Sequence, residues 1–151
     1  MTNRDEALQA IEQSATALLQ RANRAHLYGE LLRAGGLDLD DAVYPVLSVV
    51  ADLGSARVAE VAAAAGIGPT TGSRHLTQLE RLHLVRRGID PQDARAAVVE
   101  LTPAGKRVIA KMRRARVGLF AEMVEDWSDE ELSQFGAHFQ RFVLALAERR
   151  R

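Results

Sequence analysis

Gly68-Pro69-Thr70-Thr71-Gly72-Ser73-Arg74-His75-Leu76-Thr77-Gln78-Leu79-Glu80-Arg81-Leu82-His83 is followed by Leu84-Val85-Arg86-Arg87-Gly88-Ile89, by Asp90-Pro91-Gln92-Asp93-Ala94-Arg95, and by Ala96-Ala97-Val98-Val99-Glu100-Leu101 running into Thr102-Pro103-Ala104-Gly105. Read physically, this is a short helix, a strand, a charged turn, a second strand and a new helix start. From about Pro69 to His83, at about 100° per residue, Leu76, Leu79 and Leu82 gather on one side with Gly72 and His83. Thr70, Arg74, Thr77 and Arg81 gather on the other, flanked by Ser73 and Gln78. Hydroxyls, an amide and guanidinia are the groups that reach phosphates and base edges from a DNA major groove. An ordinary solvated helix face is the alternative reading of the same pattern.

Working upstream, Arg57 to Ala65 reads as a short alanine-rich helix with Val58, Val61, Ala62 and Ala65 on one side. Gly66 stops it, and Pro69 suits the first position of the next helix. Two short helices joined by a tight glycine-containing turn form a helix-turn-helix. Downstream, the two apolar runs read as a two-stranded ribbon with residues 90–95 at its tip. Such a ribbon beside a helix-turn-helix is a wing, and Arg95 at its tip can reach into a minor groove. It can equally be an exposed turn arginine paired with Asp90 or Asp93.

The formal net charge is zero, but it is unevenly placed. Residues 1–56 carry 4 basic against 8 acidic groups, residues 57–116 carry 12 against 5, and residues 117–151 carry 4 against 7, or −4, +7 and −3. The basic middle is where an anionic partner would sit. All basic residues but Lys106 and Lys111 are arginine, which suits phosphate and base-edge contacts and is also what a GC-rich genome produces.

The acidic ends read as helices. From Asp5 to Ala34, with Thr2 or Asn3 as cap and Gly35-Gly36 as stop, Leu8, Ile11, Ala15, Leu18, Leu19 and Ala22 form one apolar stripe, which predicts a single long helix with a partner outside its own domain. At the other end Ser128-Asp129-Glu130-Glu131 is a capping box, and Leu132, Phe135, Phe139, Phe142, Val143 and Leu146 make a second stripe. Two such stripes at acidic ends predict a dimer interface carried by Leu8, Ile11, Leu18, Leu132, Phe135, Phe139, Phe142 and Leu146. Between these ends, Tyr44 to Leu53 reads as a buried helix with Pro45 near its start, and Thr102-Pro103 opens a helix to about Glu125.

Length and composition bound the class. With 151 residues, 47% of them hydrophobic, the chain fits one domain, or one compact domain plus an accessory element, with a real core. No apolar run reaches the roughly 20 residues that span a bilayer, and Met1 to Glu6 lacks the apolar core of a signal peptide, so a cytoplasmic location without a membrane partner is expected. The absence of cysteine excludes disulfides, thiolate nucleophiles and cysteine-ligated zinc. His26, His75, His83 and His138 show no zinc-hydrolase spacing, and no phosphate loop, nucleophile elbow or dinucleotide fingerprint is present. Neither an enzyme nor a resident cofactor or metal is expected; a metal-sensing regulator and a winged-helix protein-interaction module are the alternatives to DNA binding.

In order and spacing, Val61-Ala62 with Gly66, Pro69-Thr70-Thr71, Ser73-Arg74-His75-Leu76, Leu79-Glu80-Arg81-Leu82, Leu84-Val85-Arg86-Arg87, Asp90 to Arg95 and Leu101 to Gly105 resemble the MarR family of winged helix-turn-helix transcription regulators. The resemblance covers nearly the whole chain. It implies a mostly α (α+β) winged helix-turn-helix, with residues 1–36 and 104–151 forming a helical dimerisation region and 37–103 the DNA-binding region. It further implies a homodimer on a pseudo-palindromic operator in double-stranded DNA, acting as a ligand-responsive repressor released by a small, often aromatic, effector. Residues assigned to DNA are Thr70, Thr71, Ser73, Arg74, Thr77, Gln78, Arg81, Arg86, Asp93 and Arg95, with Arg95 entering the minor groove and Asp93 orienting it. His26 and Tyr44 are candidates for the effector pocket, though each also reads as a core or interface residue. Gly72 and Ala94 depart from the family pattern: Gly72 lowers helix propensity, and Ala94 stands where a second wing arginine is frequent.

Overall fold

The computed structural model describes residues 2–149. Their order is α1 (Asn3–Leu19), α2 (Arg21–Ala34), α3 (Tyr44–Leu53), β1 (Ser55–Arg57), α4 (Val58–Ala65), α5 (Pro69–Arg81), β2 (Val85–Asp90), β3 (Asp93–Leu101), α6 (Pro103–Met123) and α7 (Asp129–Glu148). The three strands form one antiparallel sheet in the order β1-β3-β2. The result is the expected mostly helical winged helix-turn-helix with long terminal helices. Among the described residues no helix is long and apolar enough to cross a membrane. The chain divides at Arg116 and Val117 into two compact units.

In the first unit the expected single N-terminal helix is two. Gln20 leaves helical geometry with ψ at 132°, and Asn23 Nδ2 donates to the Ala17 carbonyl, 2.7 Å away, which satisfies an acceptor that the break frees. No glycine or proline marks this point, so the apolar period runs through it unchanged. Thr2 is the cap: its hydroxyl accepts the Asp5 amide at 3.2 Å while Asp5 accepts the Thr2 amide at 3.0 Å. No residue of α1 is buried.

Leu31 and Leu32 of α2, Tyr44, Leu47 and Val50 of α3, Val61 of α4, Leu76 and Leu79 of α5, Val85 and Val99 of the sheet, and Ile109 and Met112 of α6 make one core. The core therefore runs across residues 36/37 and 103/104, tying α2 and α6 to the winged helix. Pro45 lies in the first turn of α3, where its missing amide costs least. Strand β1 is an element that the sequence pattern did not predict. It pairs with β3 through Ser55↔Glu100, Ala56↔Val99 and Arg57↔Val98, and Ala56 is its one buried residue.

Helix α5 ends at Arg81, two residues earlier than its period predicts. Leu82 is the C-cap of α5 and is exposed, and the next residue, His83, takes a left-handed φ of 56° that turns the chain away from the helix. Leu84 enters the core in place of Leu82. His83 is likewise exposed rather than core. The start of α6 is fixed by Thr102, whose hydroxyl donates to the His83 carbonyl at 2.6 Å and accepts the Gly105 amide at 3.0 Å.

In the second unit the Ser128 capping box forms as expected: Glu131 accepts the Ser128 amide at 2.8 Å, and the Ser128 hydroxyl accepts the Glu131 amide at 3.3 Å. Trp127 meets Phe135 edge-on at 5.2 Å between ring centroids, and Phe135 stacks on Phe139 at 5.5 Å. No residue of α7 is buried.

Candidate nucleic-acid interface

The face of α5 opposite the core is open. Gly72, His75, Leu76 and Leu79 are buried, while Thr70, Ser73, Arg74, Gln78 and Arg81 are exposed and Thr71 and Thr77 half-buried. The Thr77 hydroxyl donates back to the Ser73 carbonyl at 3.0 Å, leaving its lone pairs free to accept. With Val58 and Pro69, the residues Thr70, Ser73, Arg74, Thr77, Gln78 and Arg81 line a shallow groove of about 850 Å³. Among the described residues neither Arg74 nor Arg81 forms an ion pair, so both guanidinia are available to an anionic partner.

Gly72 makes this placement possible. A Cβ there would lie 2.7 Å from the Ala62 Cβ on α4, so a glycine at this position lets the two helices of the motif close on each other. The departure from the family pattern is a packing feature of this chain.

Strands β2 and β3 form the expected ribbon, but the connection is tighter than a six-residue tip, with only Pro91 and Gln92 between the strands. The register is irregular near the end: Ile89 faces Ala97, and the next residue, Asp90, faces Asp93. Ala94, Arg95 and Ala96 consequently have no opposite numbers on β2, and Arg95 is the middle residue of the bulge. Its guanidinium has no carboxylate partner among the described residues. Asp93 meets the Arg95 backbone instead, its Oδ1 accepting that amide at 3.1 Å. The other Asp93 oxygen lies 3.8 Å from Arg57 Nη2. The expected orientation of the Arg95 guanidinium by Asp93 is therefore not made; Asp93 shapes the backbone that carries Arg95.

Arg86 is exposed but paired across the ribbon with Glu100 at 2.8 Å. Arg87 reaches Glu80 of α5 at 3.1 Å, fastening the wing to the helix. Arg57 was not singled out by the sequence pattern. It joins Asp90 at the wing turn through Nε and Nη2, at 2.8 and 2.7 Å. The Asp90 carboxyl is held below its ordinary range by the Gln92 amide and then by Arg57. One signal was available: a cation at the first turn of a helix opposes the helix dipole and calls for a partner.

His26 and Tyr44 occupy different surroundings. His26 is exposed, with Nε2 3.6 Å from Glu30. Tyr44 is in the core at 1% exposure, its hydroxyl accepting from Arg116 Nη2 at 2.7 Å and its ring edge-on to Tyr28. Burial pushes the Tyr44 phenol above its ordinary value, against the pull of Arg116. Neither residue lines the groove on α5. The stripe residues Leu8, Ile11, Leu18, Leu132, Phe135, Phe139, Phe142 and Leu146 are all exposed in the single chain. Among the described residues no group of three or more His, Asp or Glu is placed to hold a metal ion.

A profile of the MarR family matches residues 37–96. An uncharacterized HTH-type transcriptional regulator of Bacillus subtilis, YxaD, is 30% identical over 141 residues, covering 93% of this chain and 96% of its own. The chain belongs to the MarR family of DNA-binding transcription regulators. The fold agrees: a MarR family protein from Bacillus stearothermophilus superposes with a TM-score of 0.77 at 21% identity, covering 97% of this chain and 99% of its own. Wild-type apo MarR from E. coli gives 0.69 at 17% identity, covering 94% and 97%.

Proposed function

We propose that this MarR family member is a homodimeric repressor that binds a pseudo-palindromic operator and leaves it when a small, aromatic effector binds. The observation that carries the reading is the polar face of α5, with Thr70, Ser73, Arg74, Thr77, Gln78 and Arg81 along one groove. Thr71 lies at its start, and among the described residues the Arg95 guanidinium on the wing has no carboxylate partner. In this reading α5 enters a major groove, Arg95 enters the neighbouring minor groove, and Arg86 and Asp93 support the wing from which Arg95 projects.

Residues 1–36 and 104–151 join the subunits and residues 37–103 read the DNA. The exposed apolar stripes on α1 and α7 support the dimer. Twofold pairing would set two copies of α5 about one helical turn of DNA apart. Repression follows if the operator overlaps a promoter. An effector bound in the helical region would change the spacing between the two copies of α5. His26, exposed on α2, and the buried Tyr44 with its partner Arg116 are the side chains to probe, as separate candidates.

The test is selection of bound duplexes from a random-sequence pool by the full-length protein, followed by affinity measurements across salt. The expected result is an enriched twofold motif, affinity falling linearly in log salt by about 0.9 per phosphate contacted, and weakened binding in Arg74→Ala and Arg95→Ala with unchanged melting. An unenriched pool, or a flat salt response, sinks the proposal and favours the protein-interaction module.

A further inference from the structure

Beyond its third strand the wing has little to stand on. Strand β1 supports β3 only as far as Arg57↔Val98, and from there to the turn the sheet is a two-stranded ribbon, a marginal structure in water. Arg57 is the last residue of that support, and its side chain continues where the strand stops. Its Nε and Nη2 close on a single oxygen, Asp90 Oδ2, at 2.8 and 2.7 Å. The other oxygen, Asp90 Oδ1, accepts the Gln92 amide at 2.8 Å and so shapes the turn. Arg57 Nη2 also lies 3.8 Å from Asp93 Oδ2, and Asp93 Oδ1 holds the Arg95 amide at 3.1 Å. Arg57 itself is anchored at the head of α4, its amide donating to Glu60 Oε2 at 2.6 Å. Two short chains of contact therefore run from the helix-turn-helix to the wing, one ending at the turn and one at the bulge that carries Arg95. Beside the first of them lies an open cleft of about 420 Å³ lined by Arg57, Glu60, Asp90, Pro91 and Gln92 among others.

We propose that Arg57 is a positioning residue for DNA recognition: through Asp90 and Asp93 it sets the wing tip, and with it Arg95, against α5. The inference rests on the DNA-binding reading above. In this role Arg57 is not a DNA contact: its Nε and Nη2 are turned to Asp90, with Asp93 at 3.8 Å. The alternative, Arg57 as a direct phosphate ligand, makes opposite predictions for Asp90. Removing Asp90 would disable the positioning device but would free a phosphate ligand.

The experiment uses the full-length protein and the duplex that the wild type selects from a random pool, with Arg57→Gln, Asp90→Asn, the double variant, Arg57→Lys and Arg95→Ala. Arg57→Gln and Asp90→Asn should each weaken binding roughly 5- to 10-fold, and neither should lose more than Arg95→Ala does. The double variant should be no weaker than the worse single, because both substitutions break one device. Arg57→Lys should recover part of the loss. The salt dependence should stay at the wild-type slope, base preference should relax only in the minor-groove flanks, and melting should hardly move because the pair is partly exposed. If Arg57→Gln lowers the salt slope by about one while Asp90→Asn binds as well as or better than wild type, Arg57 is a phosphate ligand and the proposal is overturned. If both singles bind like wild type while Arg95→Ala weakens binding, the positioning role falls and the DNA reading stands. If the wild type selects no sequence, both fall.

Discussion

Gly72 of α5 faces Ala62 of α4 so closely that a methyl group on Gly72 would lie 2.7 Å from the Ala62 Cβ and 3.4 Å from its Cα. The contact falls where the reading helix rests on its support, and both partners are buried. Gly72→Ala gains about 1 kcal/mol of helix propensity, yet the helices must part by several tenths of an ångström in a packed core, which costs about 1–3 kcal/mol. The expected outcome is a net loss of about 1 kcal/mol in urea unfolding. A larger side chain, as in Gly72→Leu, should cost more and displace α5. Ala62→Gly in the Gly72→Ala background should restore most of the loss, which a purely local propensity effect would not allow.

His83 is the one non-glycine residue with positive φ among the described residues, at 56°. It follows the C-cap of α5, and its amide donates to the Glu80 carbonyl at 2.9 Å. A left-handed residue with a Cβ costs about 1–2 kcal/mol, and the imidazole is exposed, so burial does not offset that cost. His83→Gly should stabilise the protein by about 0.5–1 kcal/mol after the added unfolded-state entropy is counted. Thermal melting checks it, and a lower Tm would show that the imidazole contributes something beyond backbone geometry.

Tyr44 and Arg116 form a hydrogen bond of 2.7 Å across 72 residues of sequence. Tyr44→Phe removes the acceptor and leaves the half-buried guanidinium to water, at a cost of about 1 kcal/mol. Arg116→Ala should cost more, about 1–3 kcal/mol, because the phenol stays buried without a donor. Denaturant midpoints of the two variants give the comparison; the reverse order would mean that solvent reaches the Tyr44 hydroxyl.

Much of this was legible before the structure, and what was not has a common physical cause. The amphipathic period of α5, the capping box at Ser128 and the Thr102-Pro103 start are local signals in which each residue's role depends on neighbours within a turn or two. The break at Gln20 is held by a side chain reaching six residues back, with no glycine or proline to mark it. Strand β1 is three residues long, too short for alternation to register. Arg57 and Asp90 are 33 residues apart, and nothing local pairs them. The residues alone leave Asp90 or Asp93 as the partner of Arg95 and the family resemblance points to Asp93, but neither distinguishes a carboxylate on a backbone amide, as Asp93 is here, from one on a guanidinium. The polar face of α5 was readable as a face; that it is a groove depends on how Gly72 seats the helix.

Acid should act through the capping carboxylates. Glu131 is held below the ordinary carboxylate range by the Ser128 hydroxyl and then its amide, and Asp5 likewise by the Thr2 amide and hydroxyl. A carboxyl whose folded pKa is depressed contributes stability that is fully present above its unfolded pKa. That contribution is lost as pH falls through the folded value. The stability gap between wild type and Glu131→Gln should be constant near neutrality and close on acidification below the ordinary carboxylate range. Unfolding curves at stepped pH measure it. A gap that widens in acid would contradict the assigned direction.

The proposed dimer makes protein concentration a variable. Phe139 and Phe142 on α7 are 48% and 46% exposed in the single chain, and a second copy would bury them along with the stripe on α1. Phe139→Asp places a charge in that buried surface, where an unpaired carboxylate is strongly disfavoured, so sedimentation should report a monomer or a dimer weakened by orders of magnitude. Because the winged-helix core is packed within one chain, the groove on α5 should survive, and residual DNA binding should be weak and without twofold cooperativity. Wild-type melting should rise with concentration, as expected when association stabilises the folded state, and the Phe139→Asp melt should not. A Phe139→Asp variant that stays dimeric would move the interface away from α7.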